Sequence, residues 1–428
     1  MLPKLFVLST FLIMFQTFAL AADFGSWKPN FLTPSVLKLH DEGFKGERVE
    51  VLVTEDCFRI PHIPVFNLER SVSCADDPKS HAVQVTSVLR KTAPFAKISI
   101  CHNYVGQQDY EKDAQCPEEK IKLKENSEAI WNSSAYHICN MSWAWCTAFH
   151  YKDFNANKKR AWEIIRINKL WRYPDFRNLG KIFWSESSSR SLFQQMFSES
   201  YDELLELDRK ESFFDRVINA DIYREYDIWE ALNKRPDTLF VRSIGNDGEK
   251  LIYKGAYFFA YAAFEDSVFN LDNMIWVACQ NGTCDKPGEE FKDHTLCARA
   301  KDVDVMRGDQ IFIKENGSSL AAPNVAGVAA IIKGAFFSFT PFDLKTCLLE
   351  SADTYRIDEN GVRIELDPLS YGRGILNAQH AFLYARALHD LRQGNISLRA
   401  NDISVKETYL AALAHAVSDS DIVCCSIS

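Results

Sequence analysis

The stretch Asn316-Gly317-Ser318-Ser319-Leu320-Ala321-Ala322-Pro323-Asn324-Val325-Ala326-Gly327 changes character within a few residues. A polar loop containing glycine turns into a helix of small apolar side chains. The spacing predicts that Pro323 falls in the first turn, where its missing N–H costs nothing. Ala321, Ala322, Ala326, Gly327, Ala329 and Ala330 let such a helix lie close against a sheet. A Ser at a helix N-terminus meets unpaired backbone N–H groups and the positive end of the dipole, which together stabilise a developing oxyanion. A bare Ser there reads first as a helix cap; the string as a whole points to chemistry.

The runs that flank it are of a different kind. VEVLV (49–53), AKISI (96–100), AYHICNMS (135–142), TLFVRSI (238–244) and NMIWVAC (273–279) are almost continuously apolar. Amphipathic stretches separate several of them. Strands apolar on both faces and divided by helices predict a mostly parallel sheet covered on both sides, an α/β fold of three layers. Such sheets carry their sites in the loops at the carboxyl ends of the strands.

Composition narrows the function classes. The chain has 428 residues, is 46% apolar and 25% charged, and carries a formal net charge of -9. These values exclude a disordered or collagen-like chain, and the acidic balance offers nothing to nucleic acid. Residues 1–21 place Lys4 before an apolar run that ends in Ala19-Leu20-Ala21, the layout of a secretory signal peptide. The mature chain then begins near Ala22, secreted or periplasmic. No other segment reads as a membrane span, because Pro323, Asn324 and Lys333 interrupt the apolar stretch 320–339 and make it a core helix.

Twelve cysteines in an exported chain suggest disulfides. Cys57 with Cys74 and Cys279 with Cys284 flank loops and are candidate bridges, whereas Cys101, Cys139 and Cys279 also read as buried thiols at strand ends. Asn132, Asn140, Asn281, Asn316 and Asn395 stand in glycosylation sequons. Asn140 and Asn316 fall in segments with no room for a glycan, which argues against passage through a glycosylating compartment.

Residues 145–230 break the alternation. They mix Trp162, Trp171, Trp184 and Trp229 with many charged residues and read as an inserted helical subdomain, either a lid or a surface covering. After residue 385 the pattern is a helical tail, 386–428, that ends in Cys424-Cys425-Ser426-Ile427-Ser428. Its last four residues satisfy the prenylation pattern, with Cys425 as the lipidated residue. Prenylation is cytosolic and conflicts with a signal peptide; the plainer reading is a tail with two ordinary thiols.

The string from Gly317 to Gly327 resembles the nucleophile motif of the subtilisin-like serine peptidases, Gly-Thr-Ser-x-Ala-x-Pro-x-Val-Ala-Gly. The resemblance makes Ser319 the nucleophile. Other segments follow in the family's order. Gly46-Glu47-Arg48-Val49-Glu50-Val51-Leu52-Val53-Thr54-Glu55-Asp56 looks like the strand that ends in the catalytic acid, with Glu55 at the acid position. Ser80-His81-Ala82-Val83-Gln84-Val85 is similar to Ser-His-Gly-Thr-His-Val and makes His81 the general base. Asn140-Met141-Ser142-Trp143-Ala144 resembles the segment lining the substrate cleft, so Ser142, Trp143 and Ala144 are the expected substrate-binding residues. Ile244-Gly245-Asn246-Asp247-Gly248 resembles the loop whose Asn amide holds the oxyanion. Tyr371-Gly372-Arg373-Gly374-Ile375-Leu376-Asn377-Ala378 matches the family's closing turn. The resemblance covers about residues 36–385 apart from the insertion, and implies a subtilisin-like peptidase domain over 22–385.

Three departures bear on activity. Glu55 replaces an Asp, adding a methylene where productive geometry tolerates about 0.5 Å. Asp56 is the alternative acid, although neighbouring strand residues point to opposite faces. Ala82, Val83, Gln84 and Ser87 replace the small and polar residues that follow the family's His, and Ala144 replaces a cleft Gly. Residues 22–45 already include the family's entry helix, so no N-terminal folding pro-segment fits there. The function implied is a secreted serine endopeptidase acting on polypeptides, with no cofactor and no clear calcium loop. The alternative is an inactive subtilase fold that binds a polypeptide or a partner protein.

Overall fold

Continuous apolar runs bury both of their faces only inside a sheet that is covered on both sides. In the computed structural model, which describes residues 27–55, 68–71, 81–102, 136–142, 234–248, 272–307, 311–358 and 360–394, that is where they lie. The strands are β1 (Glu50–Glu55), β2 (Leu68–Ser71), β3 (Lys97–His102), β4 (Ile138–Met141), β5 (Leu239–Ser243), β6 (Met274–Cys279) and β7 (Thr295–Ala298). They form one seven-stranded sheet in the order β2-β3-β1-β4-β5-β6-β7. Every pairing in it is parallel. Each residue of β4, β5, β6 and β7 is buried. From β1 the chain crosses to the edge at β2, comes back through β3 between them, then lays β4 on the other side of β1. The reversal opens a crevice at the carboxyl ends of β1 and β4, where parallel sheets carry their ligands.

Five helices of eight residues or more are described: α1 (Pro34–Asp41), α2 (His81–Thr92), α3 (Ser318–Ala335), α4 (Pro341–Glu350) and α5 (Ala378–Arg392). α3 is buried along almost its whole length. It packs on β4, β5, β6 and β7 and runs beside α2. Its small residues allow that approach, for a Cβ on Gly327 would lie 2.5 Å from Thr92 Cβ. The helix starts one turn earlier than expected: Ser318 is its first residue, so Pro323 lies inside it and not in the first turn. A proline lacks the N–H that would bond the carbonyl four residues back, here that of Ser319.

β8 (Val303–Arg307) and β9 (Ile311–Glu315) form an antiparallel ribbon that leads into α3. The ribbon packs Val303 and Val305 on Phe31, Val88 and Leu320. Ser87, one of the departures in α2, bonds to this ribbon. Its hydroxyl donates to the Gln84 carbonyl at 2.7 Å and accepts from the Met306 N–H at 3.1 Å.

The expected boundary between domain and tail at 385/386 falls inside α5, where Ala387 is still buried. Arg392, at the end of α5, donates to both carboxylate oxygens of Asp343 at 2.6 and 2.8 Å. Cys101, Cys139, Cys297 and Cys347 are buried free thiols, and burial pushes the Cys139 thiol up to about 12. Cys279 does not join them: its sulfur is in contact with that of Cys284, the Cα atoms 5.3 Å apart. No helix of the described residues is long and apolar enough to cross a membrane. The leader 1–21, Asp56, Cys57, Cys74, Asn132, Trp143, Ala144, the 145–230 insertion, Asn395, Cys424 and Cys425 lie outside the described residues.

Candidate active site

Three elements bring their ends together at the crevice. Glu55 is the last residue of β1, His81 the first of α2 and Ser319 the second of α3. His81 Nδ1 lies 2.9 Å from Glu55 Oε2, and His81 Nε2 lies 3.0 Å from Ser319 Oγ. A carboxylate only accepts, so Nδ1 carries the proton. In the neutral ring Nε2 is then the acceptor for the Ser319 hydroxyl. The order carboxylate, imidazole, hydroxyl matches the acid-base-nucleophile template of acyl transfer.

Exposure differs along this line. The Glu55 side chain is 3% exposed and that of His81 43%. The carboxylate is shut away from water while the imidazole faces the cleft. Glu55 Oε1 has no hydrogen-bond partner among the described residues. The extra methylene of Glu55 is taken up within a 2.9 Å contact to the ring.

Asn246 follows β5 on the loop Ile244-Gly245-Asn246. Its Oδ1 accepts from the Ser318 N–H at 2.8 Å and lies 3.1 Å from the Ser318 hydroxyl. That hydroxyl in turn accepts from the Gly245 N–H at 3.0 Å. Two donors on Oδ1 fix the amide's orientation and turn Nδ2 the other way. Gly317 keeps the space beside it open. A Cβ there would stand 3.2 Å from Ser319 Oγ and 3.3 Å from Asn246 Nδ2, and its φ of 147° suits only glycine. A carbonyl oxygen in that space meets the Asn246 amide. The Ser319 N–H, in the unbonded first turn of α3, is a second donor.

Ser142 follows β4 and is buried; its hydroxyl accepts from Asn140 Nδ2 at 2.8 Å. Asn140 is fully buried, so its sequon has no room for a glycan. Asn316 is exposed instead, and its Oδ1 accepts from the Asp302 N–H at 2.8 Å. The structure thus brings together Glu55, His81, Ser319 and Asn246, with Ser142 at the end of the adjacent strand. Sequence reasoning missed Ser318 as the group orienting Asn246, and Asp285, buried behind the same loop. Ser318 was legible only as the residue beside the nucleophile motif, and Asp285 carried no signal. Among the described residues no group of three or more His, Cys, Asp or Glu is placed to hold a metal ion.

Comparison with known proteins places the chain in a family. The model of the subtilase family matches residues 93–374. That span includes Asn246 and Ser319 and begins beyond Glu55 and His81. A subtilisin-like protease of Arabidopsis thaliana, SBT3.6, is 29% identical over 111 residues. The aligned part is 23% of this chain and 14% of that protein's length. Among solved structures, the prenylagaramide maturation protease PagA aligns at a TM-score of 0.43 with 16% identity, covering 82% of this chain and 98% of its own. A lanthipeptide protease aligns at 0.43 with 12% identity, covering 82% of this chain and 92% of its own. On its parallel sheet, its motifs and the family match across most of its length, the chain belongs to the subtilase family.

Proposed function

We propose that this chain is a serine endopeptidase that works through Glu55, His81 and Ser319. The observation that carries the reading is the unbroken line from the Glu55 carboxylate through both nitrogens of His81 to Ser319 Oγ, at 2.9 and 3.0 Å. Ser319 Oγ attacks the scissile carbonyl while His81 Nε2 takes its proton. The buried Glu55 charge stabilises the imidazolium that forms and holds the ring's tautomer. The carbonyl oxygen, now negative, receives the Asn246 amide and the Ser319 N–H. His81 returns the proton to the leaving amine, and water hydrolyses the acyl-enzyme by the same route.

The leader at 1–21 supports export, and a bridge between Cys279 and Cys284 accords with an oxidising compartment. The substrate is a polypeptide that lies along the segment from Ser142 to Ala144.

The test is labelling of the purified full chain by a fluorophosphonate, beside Ser319→Ala. Labelling of the parent and none of the variant is the expected result. A folded parent that stays unlabelled overturns the peptidase reading in favour of a binding role.

A further inference from the structure

Asn246 acts only if its amide is held in place, and the loop that carries it is exposed at residues 246–248. From one side it is held by the start of α3, through Ser318. From the other side it meets the segment that follows β6. There the Asp285 N–H donates to the Gly245 carbonyl at 3.1 Å. Asp285 Oδ1 accepts from the Asp247 N–H at 3.0 Å. These two bonds bracket Asn246, one on the residue before it and one on the residue after. Cys284 Sγ lies 3.5 Å from Asn246 Oδ1 itself.

The bracing segment is fixed in its own right. Asp285 is 1% exposed and Cys284 4%. Cys284 touches Cys279, which ends a fully buried strand. The Gly282 N–H donates to the Cys279 carbonyl at 2.9 Å, closing the turn between them. A disulfide there ties the bracing residue to the sheet with no slack. The backbone bond to Gly245 holds the near side of Asn246; the side-chain bond to Asp247 restrains the far side. The Asp285 carboxylate is out of water, and one of its oxygens accepts from a backbone N–H on an exposed loop.

We infer that Asp285 is a positioning residue for the oxyanion hole, holding the Asn246 amide through the Asp247 N–H, on a segment anchored by a Cys279–Cys284 disulfide. This rests on the peptidase reading. The full chain is made as the parent and as Asp285→Ala, Asp285→Asn and Asp285→Glu. Fluorophosphonate labelling of Ser319 is followed against probe concentration, which separates probe binding from the phosphonylation step. Asp285→Asn keeps an acceptor at Oδ1 and labels within about twofold of the parent, whereas misplacing the amide in Asp285→Ala slows phosphonylation about 10-fold or more with probe binding unchanged. Combined with Asn246→Ala, the Asp285→Ala change adds nothing further, because the group it positions is gone. Should Asp285→Ala fail to fold, Asp285→Glu, which keeps the charge and moves the oxygen, is slowed in its place.

Hydrogen exchange of the Asp247 amide gives a reading that needs no activity. Protection lost in Asp285→Ala or Asp285→Glu and kept in Asp285→Asn supports the assignment even if the parent never labels, an outcome that defeats the peptidase reading alone. Unchanged protection, undiminished labelling in the folded Ala and Glu variants, or additive loss with Asn246→Ala overturns it.

Discussion

Glu55 occupies the position where the family's strand ends in Asp, and the backbone here is placed for the longer side chain. Its Oε2 sits 2.9 Å from His81 Nδ1. Two substitutions therefore give opposite information. Glu55→Gln keeps the shape but removes the charge and favours the wrong tautomer, and lowers kcat by about 10⁴. Glu55→Asp restores the family's residue yet withdraws the oxygen from the ring, and lowers kcat by about 10²-fold. Labelling rates with a fluorophosphonate check both; a Glu55→Gln variant that labels like the parent would move the acid to Asp56. In the proposed mechanism the Asn246 amide is the side-chain donor to the oxyanion. Asn246→Ala is expected to lower kcat by about 10²–10³ with KM little changed.

At the scale of elements, the contact of α2 with α3 sets where His81 and Ser319 meet. Gly327 lies in that contact, and an added methyl would stand 2.5 Å from both Thr92 Cβ and Thr92 Cγ2. Gly327→Ala is expected to cost about 1–3 kcal/mol, as overpacking does. Thr92→Ala does not relieve it, because the Cβ is itself in the way, and Thr92→Gly does so in part; urea unfolding of the double variants distinguishes the two. The start of α4 is a capping box, in which the Thr340 hydroxyl accepts from the Asp343 N–H and the Asp343 carboxylate accepts from the Thr340 N–H. Burial pushes the Asp343 carboxyl up, but its bonds from Arg392 and Thr340 outweigh that and hold it below the usual value of 3.8. A depressed carboxylate stabilises the fold above its unfolded pKa, and that contribution fades as pH falls through the folded one. Asp343→Asn should cost about 1–3 kcal/mol at neutral pH. Its deficit against the parent narrows below pH 3.8, which thermal melts across the acid range would show.

Across the whole molecule, a half-buried histidine beside a buried lysine makes stability depend on acid. His294 and Lys345 meet behind β7, Lys345 Nζ 2.7 Å from His294 Nδ1. Burial, with the nearby Lys345 charge, lowers His294 from 6.5 to about 4. Between those values the unfolded His294 binds a proton that the folded one refuses. Stability therefore falls with acid across that window. Replacement by Gln keeps an acceptor for Lys345 and removes the titration. His294→Gln should flatten the decline of Tm between pH 6.5 and 4. A parent whose Tm is level across that range would overturn this account.

Much of this molecule was legible in its sequence, because the signals are local. The five apolar runs named five of the seven sheet strands, since a strand buried on both faces has few polar residues to show; β2 and β7, four residues each, were not among them. The string from Gly317 to Gly327 named the helix and the Ser at its head. Short-range rules were less reliable about boundaries: Pro323 suggested a helix start that the structure places at Ser318. Cys279 read both as a strand-end thiol and as a bridge, and only its distance to Cys284 decides. The candidate site itself is the work of long-range packing. His81 meets a residue 26 positions away and another 238 positions away. Whether Glu55 reaches the ring, which way the Asn246 amide faces and what braces its loop depend on how β1, α2, α3 and the segment after β6 pack. Residue types and local periodicity settle which groups are present. Distances of about 3 Å between them are set by the fit of buried surfaces across the chain, where shifts of an ångström decide whether a hydrogen bond forms.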